Sequence, residues 1–191
     1  MAAIFTPDAE KEFFTPFGPL MGYFRMPALL ISALNDAVSD KLEDHSGQLV
    51  GKVREELRFD KPLIDLAAAH LGQTLIEYHV RASHRGAFGD YNHREKQFEL
   101  NIMGGWFVRQ FAGDYNPLHI HTGASISCVG YLALPDGMEA EWEEDYRDHH
   151  PSHGHLQFAH GTDVHYSVSN FMIKPRVGDV YIFPSHMFHC V

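Results

Sequence analysis

Cysteine is nearly absent from this chain: Cys128 and Cys190 are the two in 191 residues. That excludes a disulfide framework and suits a reducing compartment. A basic surplus is missing too, since the formal net charge is −10 at pH 7. A phosphate backbone is gripped by a basic face, so nucleic acid is not an expected partner. No apolar run approaches the ~20 residues of a membrane-spanning helix. The opening MAAIFTPDAEKEFF has neither the basic start nor the apolar stretch of a signal peptide. The expectation is a soluble cytoplasmic protein with no membrane partner. There is no glycine-rich phosphate loop, because Gly104-Gly105 merely interrupts an apolar stretch. No nucleophile sits in a recognisable turn, which removes the Ser/His/Asp and Cys/His hydrolases.

What is abundant is histidine, with 15 in the chain. Imidazole is the commonest metal ligand and titrates near neutral pH, but only its spacing carries information. The remaining composition, 45% hydrophobic and 21% charged, is that of an ordinary globular domain. The length fits one domain, 1–191, large enough to bury its own core.

The first half reads as helical, over 13–80. Pro27 opens a segment with apolar residues at Leu30, Ile31, Leu34, Val38 and Leu42, the spacing of one helix face. Asp60 caps a second helix with Pro62 in its first turn, and Leu63, Ile64, Ala67, Leu71 and Leu75 form its stripe. The stretch 81–96, rich in Gly, His and charge, reads as a loop. The second half, 98–191, changes period. FELNIM (98–103), SISCVGYLAL (125–134), HYSVSNFMI (165–173) and VYIF (180–183) read as strands, the last ended by Pro184. Helices followed by strands indicate an α+β fold with the helices packed on one side of a sheet or barrel.

Two elements carry the chemistry. In NPLHIHTGASISCVGYLAL (116–134), His119 and His121 are two apart, which on a strand puts both imidazoles on one face. In RVGDVYIFPSHMFHCV (176–191), a turn, a strand and Pro184 precede His189. Two ligands from one strand and a third from a distant one can hold one divalent ion and leave positions open. Elsewhere, His149, His150, His153, His155, His160 and His165 read as a solvated loop, the alternatives being a lid or a second metal site. His165 is expected to begin a strand, and His186 either to line the pocket or to sit on its rim. The acidic run 139–148 reads as a solvated face. Trp106, Phe107 and Cys128 are expected in the core.

The elements HIHTGASISCVGYL (119–132) and GDVYIFPSHMFHCV (178–191) resemble the 2-oxoglutarate- and Fe(II)-dependent oxygenases, in particular a group of small bacterial and viral members. The resemblance implies a double-stranded β-helix, a jelly-roll or cupin-like barrel. It implies Fe(II), 2-oxoglutarate as co-substrate, and hydroxylation of a small-molecule or peptide substrate with release of succinate and CO2. His119 and His189 would be iron ligands. His121 stands where the superfamily has Asp or Glu. The basic residue that pairs the far carboxylate of 2-oxoglutarate, and the last strand, are expected beyond Val191. Asn116 and Tyr131 are named as polar contacts to the co-substrate. Two further readings stay open. GDVYIFPSHMFH also resembles a cupin motif, which implies a three-histidine metalloenzyme without 2-oxoglutarate. A metal- or ligand-binding barrel without catalysis is the other.

Overall fold

The computed structural model describes residues 3–5, 9–16, 18–39, 41–48, 51–85, 98–143, 153–162, 165–166 and 168–191. Its elements are β1 (Ala3–Phe5), β2 (Lys11–Phe14), β3 (Met21–Arg25), α1 (Ala28–Ala37), β4 (Glu55–Arg58), α2 (Lys61–Arg85), β5 (Trp106–Arg109), β6 (Ile126–Gly130), α3 (Met138–Glu143), β7 (Leu156–Ala159), β8 (Asn170–Ile173), β9 (Asp179–Pro184) and β10 (Phe188–Cys190). They form two four-stranded sheets, β1-β8-β7-β10 and β2-β3-β9-β6, and a small ribbon β4-β5. Every pairing is antiparallel except β1 with β8. The α+β class is as expected, but no closed barrel is present among the described residues.

The two large sheets bury their facing side chains together: Tyr23 and Tyr181 from one, Leu156, Phe158, Phe171 and Ile173 from the other. The outer face of β2-β3-β9-β6 is covered by the helices. Ile182 packs with Leu75 and Tyr78 of α2, and Val180 with Leu30 and Leu34 of α1. At Gly22 a Cβ would come within 3.2 Å of the Tyr78 ring, so glycine is what lets α2 lie close on β3. β9 is therefore covered on both faces, which is why VYIF is apolar without alternation. Among the described residues, no helix is long and apolar enough to cross a membrane.

Several expectations are corrected. The front 13–80 is not wholly helical, for β2 ends within it and β3 and β4 lie within it. Strands of four or five residues show too few alternations to read, and β3 owes its state to pairing with β9. The capped second helix is present, with the Leu63 N–H donating to Asp60 Oδ1 at 3.1 Å, but it runs on to Arg85. The expected loop thus begins inside α2, and 86–97 lie outside the described residues. FELNIM is not a strand. Its Phe98 rests edge-on against His79, and Leu100 joins the cluster of Leu75 and Tyr78, so it docks on α2 rather than pairing. The strand expected over 125–134 stops at Gly130; the Leu132 carbonyl instead accepts from Asn35 Nδ2 at 3.1 Å. That expected over 165–173 is Asn170–Ile173 only, and His165 lies exposed in a turn before Tyr166, whose φ is 69°.

Candidate metal centre

The turn after β9 builds the site. Pro184 ends the strand, and the Met187 N–H closes the turn on the Pro184 carbonyl at 2.9 Å. Ser185, buried in that turn, donates its hydroxyl to the Ala124 carbonyl, and its own carbonyl accepts the His121 N–H at 2.9 Å. The chain then returns as β10 beside β7. His189 stands opposite Phe158, and Phe188 opposite Ala159. Alternation sends His189 inward and Phe188 outward. On its other side β10 meets His119 in a reciprocal backbone pair, His119 N–H to the His189 carbonyl at 2.9 Å and the reverse at 3.0 Å. The i, i+2 spacing brings His121 onto the same face.

The result is the expected convergence. The ring centroids of His119, His121 and His189 lie 4.3–5.0 Å apart, and their donor nitrogens are all within 4.8 Å of one another. A nitrogen binds a divalent ion at about 2.1 Å, so donors this close can share one. Two rings are locked from behind. His119 Nδ1 meets the Pro117 carbonyl at 2.7 Å, and His189 Nδ1 the Met187 carbonyl at 2.9 Å. A carbonyl only accepts, so Nδ1 carries the proton and Nε2 is left with its lone pair, the orientation found behind metal-bound imidazoles. His121 has no such lock among the described residues; its ring lies 5.5 Å from Trp106, edge to face. His189 is 2% exposed, beside Phe183 and Phe158. Burial pushes its pKa down to about 4, and burial together with His119 lowers that of His121. Neutral imidazoles are what a metal requires.

The remaining named residues fall elsewhere. Asn116 exchanges backbone hydrogen bonds with Val191, at 2.9 and 3.2 Å, and so fixes the entrance of the His119 segment. Tyr131 is not at the imidazoles. Its N–H bonds the Asp179 carbonyl at the far end of β9, and its hydroxyl reaches the Gly154 carbonyl at 3.3 Å. Asp114 faces Arg54 at 3.2 Å. Among the described residues of the histidine-rich stretch no metal cluster forms: His153 meets Glu141 at 3.0 Å, and His155 is buried against Trp142. His160 and His186 line a cleft of about 330 Å³ with Phe188, on the outward side of β10. His149 and His150 lie outside the described residues. Cys128 and Cys190 are free thiols, and Cys128 is exposed rather than buried.

Trp106 was expected in the core and is instead 40% exposed beside His121. The β5 register explains it. Phe107 points into the helix-side core, so its neighbour must point away. Gly105 fixes that register, because a Cβ there would come within 2.7 Å of the Phe59 ring. The signal was available in Gly-Trp-Phe, where only one of two adjacent aromatics on a strand can face a single core.

The family model described as "Putative 2OG-Fe(II) oxygenase" matches residues 104–191. The match spans both histidine elements and bears out the resemblance to that superfamily. No curated protein and no solved structure matches the chain.

Proposed function

We propose that this chain, whose segment 104–191 matches the family model of 2-oxoglutarate- and Fe(II)-dependent oxygenases, is a dioxygenase that hydroxylates a peptide, an amino acid or a small metabolite. The observation that carries the reading is the convergence of three imidazoles inside the matched segment. The two facing sheets are compatible with the double-stranded β-helix of that superfamily. Fe(II) and 2-oxoglutarate, with O2 as the oxidant, would supply the hydroxylation of an unactivated C–H bond, one oxygen atom going to the product and the other to succinate as CO2 leaves. The chain's own residues hold, orient and shield. His119 and His189 present Nε2 as ligands, with the Pro117 and Met187 carbonyls fixing their tautomers. His121 is the third ligand. Phe158 and Phe183 keep water from the buried side. Asn116 remains the candidate polar contact to a co-substrate, whereas the position of Tyr131 argues against that role.

Anaerobic Fe(II) titration should give about one tight site per chain, and His119→Ala or His189→Ala should abolish it. Stoichiometric binding retained in both variants removes the reading. The iron-loaded protein should also release succinate from 2-oxoglutarate, slowly and without substrate. Iron binding with no succinate transfers the assignment to a three-histidine cupin-type metalloenzyme, or to a binding protein without catalysis. His121 in place of a carboxylate is the observation that favours this second reading.

A further inference from the structure

Three imidazoles form an electrically neutral donor set. Each brings a lone pair and no charge. Among the described residues, no carboxylate or thiolate joins His119, His121 and His189. On the buried side the surroundings are aromatic carbon, Phe183 at 4.8 Å and Phe158 at 6.2 Å from the His189 ring, while His119 and His121 are half-buried, the latter against Trp106. A divalent ion here keeps its whole charge with one side shut off from water. Such an ion is costly unless a counter-charge joins it. With a carboxylate at position 121 the protein would supply part of that counter-charge. With His121 the donor set of the described residues supplies none.

We propose that this centre recruits its counter-charge from its ligand: it selects small anionic donors, carboxylate above all, over neutral donors of the same shape, and His121 sets that preference. The inference rests on the metal-binding reading above. It narrows the ligand class to molecules that present a free carboxylate or an equivalent anionic head to the ion. Two sources share this chemistry, the co-substrate and the substrate.

The test uses the protein loaded with one equivalent of Co(II), followed by its visible absorption. Acetate and azide should shift the spectrum saturably, and acetamide at the same concentration should not. His121→Glu puts a carboxylate into the donor set and should weaken azide about tenfold or more, since the charge facing the anion is halved. Binding is reciprocal, so azide should raise the Co(II) affinity of the unaltered protein by the factor by which Co(II) raises that of azide. The comparison of acetate with acetamide on the unaltered protein decides the matter even if the variant does not fold. Azide displaced by 2-oxoglutarate supports the proposal with the co-substrate as source, and azide retained beside it supports the proposal with the substrate as source. Equal responses to acetate and acetamide overturn it, as does equal azide affinity in the loaded wild type and His121→Glu. If the unaltered protein takes up no Co(II), the metal reading itself falls, and this inference with it.

Discussion

Strand β9 has a polar cluster at each end, and the two are built on opposite principles. At its start, Asp179 is 1% exposed and accepts from the Tyr23 hydroxyl at 3.0 Å, Arg176 Nε at 3.2 Å, the Tyr181 hydroxyl at 3.3 Å, and Arg25. Each of those contacts puts a proton between donor and acceptor. The network is closed, and burial with the nearby Asp179 charge raises the Tyr23 and Tyr181 pKa values. Beyond its other end, His119 and His189 have spent their Nδ1 protons on backbone carbonyls. Their Nε2 lone pairs are left converging with no proton between them. A cluster of satisfied donors and acceptors holds the fold. A cluster of bare acceptors is stable only if something positive fills it, and so reads as a ligand site.

The comparison breaks most visibly at Asp179. Removing a buried carboxylate strands its cationic partners, a loss of roughly 3–5 kcal/mol for a fully buried pair. Arg25 and Arg176 are 38% and 49% exposed, so part is recovered by water. Asp179→Ala should cost about 2–4 kcal/mol in denaturant unfolding, while the variant that stays folded keeps its metal stoichiometry. Metal lost at unchanged stability would erase the distinction between the two ends.

Glu56 tests the same distinction from a group that is closed in neither way. It is 4% exposed on β4, and burial pushes its pKa up to about 7. The unfolded chain ionises this group near 4.5, whereas the folded protein keeps the proton until about 7. Between those values the folded state binds more protons, so this residue's contribution to stability is lost as pH rises. Glu56→Gln should match the wild type at pH 4 and exceed it above pH 8, by on the order of 2 kcal/mol. Chelator-treated protein isolates the effect from metal binding. Parallel pH profiles for the two proteins would show that Glu56 ionises freely.

The two ends also differ in how they show in the sequence. His119 and His189 were legible because each lies in a strand-and-turn pattern whose geometry is local: an i, i+2 pair, and a Pro-terminated strand followed by a return. The Asp179 network was not, since Tyr23 and Arg25 come from β3, which only pairing with β9 brings beside the local turn of Arg176 and Asp179. The same cause hid β2 and β3, which are too short to reveal a period; β3 is a strand because β9 lies beside it, and β2 because β3 does. FELNIM failed the other way: its alternation was genuine, but the surface that took Phe98 and Leu100 was a helix. Tyr131 was linked to the metal pair by closeness along the chain, yet β6 carries it the length of β9 away.

Within the open cluster a smaller asymmetry remains, and it can be sharpened. His119 and His189 are held by carbonyls and by each other's backbone, whereas His121 is held through its backbone N–H to the Ser185 carbonyl, and its ring by contact with Trp106 and the other two imidazoles. An aromatic edge contact of this kind is worth roughly 0.5–1.5 kcal/mol. If it is what keeps the third imidazole turned toward the other two, Trp106→Ala should lower Co(II) affinity by up to about tenfold. The visible spectrum should move toward that of His121→Ala. Trp106→Phe, which keeps an aromatic surface, should restore most of both. A loss of affinity with the three-histidine spectrum intact would mean that Trp106 acts through folding of the β4-β5 ribbon. A rescue confined to affinity, with the spectrum still altered, would mean that His121 is steered by something other than the ring beside it.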